Sequence, residues 1–252
     1  MNELHLFAGC GGGILGGILL GHTCVCAVEI EPYCRKVLLQ RQRDGILPRF
    51  PIWDDVRTFD AVPWWGKIDV ICGGFPCTEI SIVNNGPSGR LGLNGNNSGL
   101  WKEMLRVVRQ IRPAIVFVEN TPALTVRGLG RVLSDLAQIG YNGRWDMFSG
   151  KHVGAPIIRE RLFILAKPNV QRRIRVDKNQ QKGCPNIYPQ NFDAWRNLQD
   201  KLQIPMGLAY DSPVRGVLRN DDGLAEGMDR LKASGNGQIP AVVKLAWETL
   251  IQ

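Results

Sequence analysis

The chain has 252 residues, and its hydrophobic share of 44% and charged share of 21% are those of a soluble globular protein. Its 31 Lys and Arg against 23 Asp and Glu give a net charge of +8, a surplus that attracts polyanions. No apolar run is long enough for a membrane helix, and the N-terminus lacks the basic start of a signal peptide. We therefore expect no membrane association and an intracellular location.

The seven cysteines are scattered and form no C-x-x-C pair, and the chain has only three histidines. This pattern argues against a disulfide framework and against a structural zinc site. We expect reduced thiols and no metal. The cysteines are Cys10, Cys24, Cys26, Cys34, Cys72, Cys77 and Cys184.

The first thirty residues have the pattern of a strand, a glycine-rich turn and a helix. Apolar residues 4–8 precede the glycine-rich run 9–13, and a second apolar run ends at Glu29, eighteen positions after Gly11. An acid at this offset can bind ribose hydroxyls. The incomplete G-x-G-x-x-G pattern favours a nucleoside without phosphates, such as S-adenosylmethionine, over a dinucleotide. A tight turn without a ligand is the alternative.

The run 69–77 predicts a buried strand that ends in a Gly-Gly turn and delivers the thiol of Cys77 into a loop. Functional groups in open α/β sheets lie just past the carboxyl ends of strands. The alternative is a cysteine that serves only as a small buried hydrophobe. Earlier in the chain, Asp55 follows a short strand, where it binds an adenine amino group or forms a turn.

Residues 84–98 are rich in Gly, Asn and Ser, and we expect a mobile loop that closes over a substrate. A helix is predicted over 99–112 by its apolar spacing, and Pro113 ends it. The next apolar run, 114–118, predicts a buried strand that ends at Glu119 and Asn120. Glu119 is then a functional acid, or alternatively a capping or salt-bridged one.

A helix over 128–139 and a strand over 141–149 follow, and Arg159 and Arg161 precede the apolar strand 162–166. Side chains two apart on a strand point to the same side. The two arginines therefore act together, or they form a solvated sheet edge.

Residues 167–182 are strongly basic, with a local net charge of +5, and three aromatic residues follow at Tyr188, Phe192 and Trp195. Cations that contact phosphates and aromatics that stack on bases are typical of nucleic-acid binding. A solvated charged linker is the alternative.

The segment 230–240 predicts a turn, and 241–251 predicts an apolar helix that packs back on the first domain.

Five motifs in this order and spacing resemble the DNA (cytosine-5) methyltransferase family over nearly the whole chain. They are Leu6-Phe7-Ala8-Gly9-Cys10-Gly11-Gly12, Gly74-Phe75-Pro76-Cys77, Glu119-Asn120, Arg159-Glu160-Arg161 and Gly235-Asn236. The compact size is similar to that of phage or small prokaryotic members.

The resemblance implies an α/β Rossmann-like S-adenosylmethionine-dependent methyltransferase fold with a mostly parallel sheet and a small loop-rich target-recognition region. It implies a catalytic domain over 1–166, the target-recognition region over 167–228, and a C-terminal segment, 229–252, that returns to the catalytic domain. Sequence readout is expected from side chains of the middle region in the major groove.

The resemblance also implies a methyl-donor site, in which Glu29 binds the ribose, Ile30 contacts the adenine and Asp55 binds its amino group. The cofactor is S-adenosylmethionine, and the product is S-adenosylhomocysteine. The implied cofactor residues are Phe7, Ala8, Gly9, Cys10, Gly11, Gly12, Glu29, Ile30, Asp55, Val56, Gly74, Pro76, Leu100, Asn236 and Gly237.

At the reacting base, the resemblance assigns Cys77 as the nucleophile that adds to carbon 6 of a flipped-out cytosine. Glu119 would bind and protonate ring nitrogen 3, and Arg161, helped by Arg159, would bind the oxygen at carbon 2. The chain departs from the family pattern at three positions. Ile157 stands where the family usually has glutamine, Thr121 where it has valine, and His5 where an aspartate or serine is frequent.

The function implied is methyl transfer to carbon 5 of cytosine in double-stranded DNA. A monomer in the cytoplasm of a prokaryotic or phage-infected cell is expected, and a cognate restriction endonuclease is a candidate partner. The same chemistry fits an RNA cytosine-5 methyltransferase, and a DNA-binding homologue without catalysis is the third reading.

Overall fold

The computed structural model describes residues 1–76, 99–155, 159–169 and 237–252. Within these ranges, seven strands form one sheet with the order β3-β2-β1-β4-β5-β7-β6. The first five strands are parallel, and β7 runs antiparallel to both β5 and β6. This mostly parallel α/β sheet confirms the predicted fold class.

The N-terminal half supplies alternating strands and helices, as the periodicity predicted. The elements are β1 (Asn2–Leu6), α1 (Gly12–Leu19), β2 (Thr23–Val28), α2 (Pro32–Arg43), β3 (Ile52–Trp53) and β4 (Val70–Gly73). A short 3-10 helix, Val62–Trp64, precedes β4. Strands β1 and β4 are almost wholly buried, in keeping with their continuous apolar sequences.

The second half completes the sheet with an antiparallel pair. The elements are α3 (Leu100–Ile111), β5 (Ile115–Asn120), α4 (Leu124–Arg127), α5 (Leu129–Gln138), β6 (Tyr141–Ser149), β7 (Glu160–Pro168) and α6 (Pro240–Leu250). A 3-10 helix, Gly150–Val153, joins β6 to the segment before β7.

Apolar side chains cover the sheet in separate clusters. One cluster packs α3 and α5 against β1, β4 and β5 through residues such as Met104, Val108 and Val132. A second cluster brings α6 against β5 and β7 through Val243, Trp247 and Phe117. The C-terminal helix therefore packs on the same sheet as the N-terminal elements.

Glu119 and Asn120 are the last residues of β5, as expected, whereas two other elements differ from their predictions. The helix expected over 128–139 is α5, and an unpredicted short helix, α4, precedes it and is separated from it by the extended backbone at Gly128. Strand β7 continues to Pro168, paired with Tyr141, so the sheet extends two residues beyond Ala166.

Among the described residues, no helix combines the length and the apolar character that crossing a membrane requires. The predicted lid over 84–98 and the basic segment beyond residue 169 lie outside the described ranges. The predictions about DNA contacts made for those segments stay predictions. Lys167, which was counted with the basic segment, lies in β7, and its ammonium group donates to the carbonyl oxygen of Ile251.

Candidate active site

The turn after β1 lies at the carboxyl edge of the sheet. Phe7, Gly9 and Gly11 all have positive φ angles, of 56°, 54° and 88°. Such a backbone is strained for a residue with a side chain and natural for glycine. A Cβ atom on Gly11 would lie 2.9 Å from the Leu38 side chain. The turn therefore needs its glycines and leaves its backbone open to a ligand.

Glu29 follows β2 and is tied to this turn. Its carboxylate accepts hydrogen bonds from the backbone N–H of Gly9 at 2.6 Å and of Glu31 at 2.8 Å. Burial raises the pKa of Glu29, and the two amide hydrogen bonds act in the opposite direction. The acid predicted to bind a ribose thus borders the glycine turn, eighteen positions away in sequence from Gly11.

The residues expected around an adenine lie at the rim of this edge. Ile30 is 50% exposed, and nearby Trp53 is 45% exposed. Asp55 accepts hydrogen bonds from the backbone and side chain of Arg57, and these bonds hold its pKa below the ordinary value. Val56 is buried in the first apolar cluster. Leu100, at the start of α3, packs against the same cluster. An adenine contact at Asp55 therefore stays a prediction.

Glu119 is the buried acid at the end of β5. Its Oε1 atom lies 2.8 Å from Nε of Arg161, and its Oε2 accepts a hydrogen bond from Nε2 of Gln238 at 3.2 Å. Burial raises the pKa of Glu119 more strongly than Arg161, Gln238 and Arg159 lower it. A buried acid with a raised pKa is suited to donating a proton.

The structure brings the two predicted arginines to this acid from the start of β7. Arg161 is partly buried and pairs with Glu119, and Arg159 lies near enough to influence the charge of the same carboxyl group. The acid and the guanidinium groups come from neighbouring antiparallel strands, β5 and β7. A solvated sheet edge, the alternative considered from the sequence, does not describe Arg161.

Asn120 forms a hydrogen bond with the backbone of Phe75, two residues before Cys77. Its side-chain amide donates to the carbonyl oxygen of Phe75 at 3.3 Å, and its Oδ1 accepts from the N–H of Thr121 at 2.8 Å. Phe75 is buried against Trp101, with ring centroids 5.4 Å apart. Cys77 itself lies outside the described residues, as do Asn236 and Ile157. The described chain reaches Pro76, so the approach to Cys77 is anchored beside Glu119.

A cavity of about 50 Å³ runs from the glycine turn toward Glu119 and into the interior. Seven of the predicted cofactor residues line it: Phe7, Ala8, Gly9, Cys10, Gly12, Gly74 and Gly237. The remaining predicted residues that the structure describes are not part of its wall. A Cβ atom on Gly74 would lie 2.7 Å from Oε2 of Glu119, which explains the glycine there.

The inner end of the cavity holds a polar cluster that the sequence did not reveal. Glu3 accepts hydrogen bonds from His5 at 2.7 Å and from His22 at 2.8 Å, and the thiol of Cys72 also bonds to it. Ligand-type atoms of Glu3, His5 and Cys72 lie within 4.8 Å of one another. Because the carboxylate already accepts these hydrogen bonds, a hydrogen-bonded network accounts for the cluster.

Gln238 is the other site residue that sequence reasoning missed. It follows the Gly-Asn-Gly run near the C-terminus and lines the cavity beside Gly12 and Gly13. The one available signal was its position directly after that motif. A glutamine in a loop carries no chemical signature by itself.

The described thiols agree with the expectation of reduced cysteines. Cys10, Cys24, Cys26, Cys34 and Cys72 are all free, although the sulfur atoms of Cys10 and Cys34 lie 3.7 Å apart. The hydrogen bond to Cys34 lowers the pKa of Cys10, whereas burial raises the pKa of Cys26 to about 12. Most of these thiols are therefore inert, buried groups.

The strand order and the glycine turn define a Rossmann-like S-adenosylmethionine-dependent methyltransferase fold. A putative DNA modification methyltransferase from an E. coli prophage superposes with a TM-score of 0.52 at 24% identity, covering 67% of this chain and 47% of that one. The Dnmt2 methyltransferase of S. pombe superposes with a TM-score of 0.53 at 16% identity, covering 90% and 61%. These similarities show the fold.

The family follows from the sequence match. The model of C-5 cytosine-specific DNA methylases matches residues 1–210, and the chain belongs to this family. The chain is 31% identical over 202 residues to Type II methyltransferase M.CviJI of Paramecium bursaria Chlorella virus IL3A, with 80% of this chain and 50% of that protein covered.

Type II methyltransferase M.Eco47II of Escherichia coli is 29% identical over 220 residues, with 84% and 47% covered. The chain thus spans about half the length of these two relatives.

Proposed function

We propose that this protein transfers a methyl group from S-adenosylmethionine to carbon 5 of a cytosine in duplex DNA, through a covalent adduct with Cys77. The observation that carries the proposal is the ion pair of the buried Glu119 with the partly buried Arg161, at the sheet edge where the glycine turn and the approach to Cys77 meet. Membership of the cytosine-specific DNA methylase family supports the choice of base and nucleic acid.

The described residues fit such a methyl donor. The turn at Gly9 and Gly11 exposes backbone that side chains would cover, and Glu29 keeps oxygen lone pairs beside it for ribose hydroxyls. The exposed apolar side chain of Ile30 offers a surface to an adenine ring. When bound, S-adenosylmethionine supplies an electrophilic methyl group.

Three side chains of this protein act directly on the cytosine. The Cys77 thiolate adds to carbon 6, and Glu119 donates a proton to ring nitrogen 3 as the bond forms. The guanidinium group of Arg161 binds the oxygen at carbon 2. Carbon 5 then carries enough electron density to take the methyl group. Removal of the carbon 5 proton by a base, with return of the nitrogen 3 proton to Glu119, expels Cys77 as thiolate and restores the neutral ring.

The raised pKa of Glu119 suits this role, because a protonated acid is needed at the moment of addition. In duplex DNA, stacking covers carbon 6, so the base has to leave the helix at a cost of a few kcal/mol. The basic region over 167–228, with its aromatic residues, is our candidate for binding the DNA in that state.

The test is mass analysis of nucleosides from duplex DNA and from structured RNA after incubation with S-adenosylmethionine. We expect 5-methylcytosine in DNA from the wild-type protein and none above background from Cys77→Ala, since the covalent step needs the thiolate. The matched control is Cys26→Ala, which removes a buried thiol that burial keeps protonated, and it should retain methyl transfer.

Equal activity of Cys77→Ala and the wild type would refute the assigned nucleophile. Methylated cytosine in RNA alone would identify RNA, and not DNA, as the methyl acceptor. Duplex binding without methylation of any of a broad set of DNA sequences would favour a DNA-binding protein without catalysis.

A further inference from the structure

Gln238 connects two parts of the site that the sequence places far apart. It lies 119 positions from Glu119, yet its side-chain amide donates to Oε2 of that acid at 3.2 Å. The other carboxyl oxygen, Oε1, faces Arg161 at 2.8 Å. Each oxygen of the acid thus has a donor from a different segment of the chain, one from β7 and one from the segment before α6.

The opposite side of Gln238 lies against the glycine turn. A Cβ atom on Gly12 would overlap the backbone carbonyl of Gln238, and one on Gly13 would lie 2.5 Å from its Oε1 atom. The residue therefore lies between the start of α1, where the glycine-rich run ends, and the carboxyl group at the end of β5. Its position is set by packing rather than by the hydrogen bond alone.

The orientation of the carboxamide follows from electrostatics. With the amide reversed, its oxygen would face the Glu119 carboxyl oxygen and repel the ionised acid. The donor orientation favours the ionised form of Glu119 and opposes the effect of burial.

We infer that Gln238 is a positioning residue, which fixes the Glu119 carboxyl group against the ring nitrogen of the cytosine from the side of the methyl-donor turn. This inference rests on the proposed function. Because the carboxamide touches both the turn and the acid, it sets the distance between the donor site and the group that protonates the base. Loss of Gln238 should therefore slow turnover more than it weakens DNA binding.

The first measurement is independent of catalysis. The Glu119 side-chain carboxyl is titrated by NMR in protein labelled with ¹³C at glutamate, and Glu119→Gln identifies its signal. In Gln238→Met, which has similar volume but no donor, we expect the Glu119 midpoint to rise by about one pH unit. The matched control is Gln138→Met on the exposed face of α5, which should leave the midpoint unchanged.

The second measurement is methyl transfer by the same variants. We expect kcat of Gln238→Met to fall about 10- to 100-fold, with KM for DNA within about twofold of the wild-type value. The alkaline limb of its pH profile should shift upward, because protonated Glu119 persists to higher pH. A residue that only filled space would lower the folded fraction without moving that limb.

An unchanged Glu119 midpoint together with an unchanged kcat would overturn the inference. If the wild type transfers no methyl group to DNA, the proposed function fails. The titration still shows whether Gln238 donates a hydrogen bond to Glu119. Should Gln238→Met not fold, Gln238→Asn takes its place, since its shorter amide cannot span the distance to Glu119 and should give the same shift.

Discussion

Glu3 shows how a charged side chain is kept inside this protein. It lies in β1 with 2% of its surface exposed, and its two oxygens face His5 and His22. Burial alone would raise the pKa of Glu3, but the two histidines lower it to about 2. Removing either histidine would leave the buried charge of Glu3 without one of its hydrogen-bond partners, at a large cost in stability.

This arrangement makes a pH-dependent contribution to stability. The folded pKa of Glu3 lies below its ordinary value of 4.5, so the contribution is complete above about pH 4.5 and is lost as the pH falls toward 2. A shift of this size corresponds to about 3 kcal/mol. We expect the difference in unfolding free energy between the wild type and Glu3→Gln to shrink as the pH falls from 5 to 3, measured by urea unfolding.

The control for this prediction is Glu248→Gln, which removes an exposed carboxylate 3.7 Å from Lys244 on α6. An ion pair at this distance whose carboxylate is solvated contributes little to stability, so this variant should follow the wild type at every pH. A constant difference between the wild type and Glu3→Gln across the range would contradict the account of Glu3.

Residues that follow strands were within reach of sequence reasoning. Glu119 ends an apolar run and Arg161 precedes one, and the sheet brings the two side chains together. Gln238 and His22 were out of reach, because each acts on a partner in another element and neither has a local pattern that marks it. Asp55 is a different case, since its carboxylate bonds to Arg57 only two residues away.

Helix α1 illustrates how elements depend on one another. Its residues Gly16 and Gly17 are buried, and both lie where a side chain would collide with a neighbouring element. Gly16 faces Val243 of α6, and Gly17 faces the carboxylate of Glu3 in β1. Small residues on this helix therefore let α6 and the Glu3 network approach closely.

Gly17→Ala should destabilise the protein for this reason. The added methyl group would overlap the Glu3 carboxylate and disturb its hydrogen bonds with His5 and His22. Overpacking in a buried site costs about 1–3 kcal/mol, and we expect a loss in that range from denaturant unfolding.

Gly130→Ala is the matched control, because Gly130 lies in α5 and a Cβ atom there would meet nothing within 4 Å. Alanine favours a helix over glycine, so this variant should be as stable as the wild type or more stable. Equal losses in the two variants would show that the contact with Glu3 does not determine the glycine at position 17.

The two ends of the chain meet in one packed structure. The Trp247 ring of α6 lies edge-on to His22, with centroids 4.9 Å apart, and edge-on to Phe117 of β5 at 5.3 Å. Phe117 in turn stacks on Phe163 of β7. The C-terminal helix therefore closes the same side of the sheet that contains the Glu3 network, and it holds Gln238 beside the glycine turn.

Trp247→Ala should consequently affect the whole molecule. Removing a large buried aromatic side chain costs about 3–5 kcal/mol, and we expect a loss of this size in urea unfolding followed by circular dichroism. Trp65→Ala is the control, since this side chain is 60% exposed and its loss should change stability by less than about 0.5 kcal/mol. Similar losses in both variants would argue against α6 as a fixed part of the core.

The alternation of apolar runs and glycine-rich turns was enough to predict the strands, most helices and the edge at which the site forms, because these depend on local periodicity and backbone freedom. Five ordered motifs were enough to indicate the family. The insertion of β7 between β5 and β6, the contact of Gln238 with Glu119, and the buried set around Glu3 depend on residues far apart in sequence. Only the folded chain decides such contacts, since they arise from how the elements pack and local sequence does not encode them.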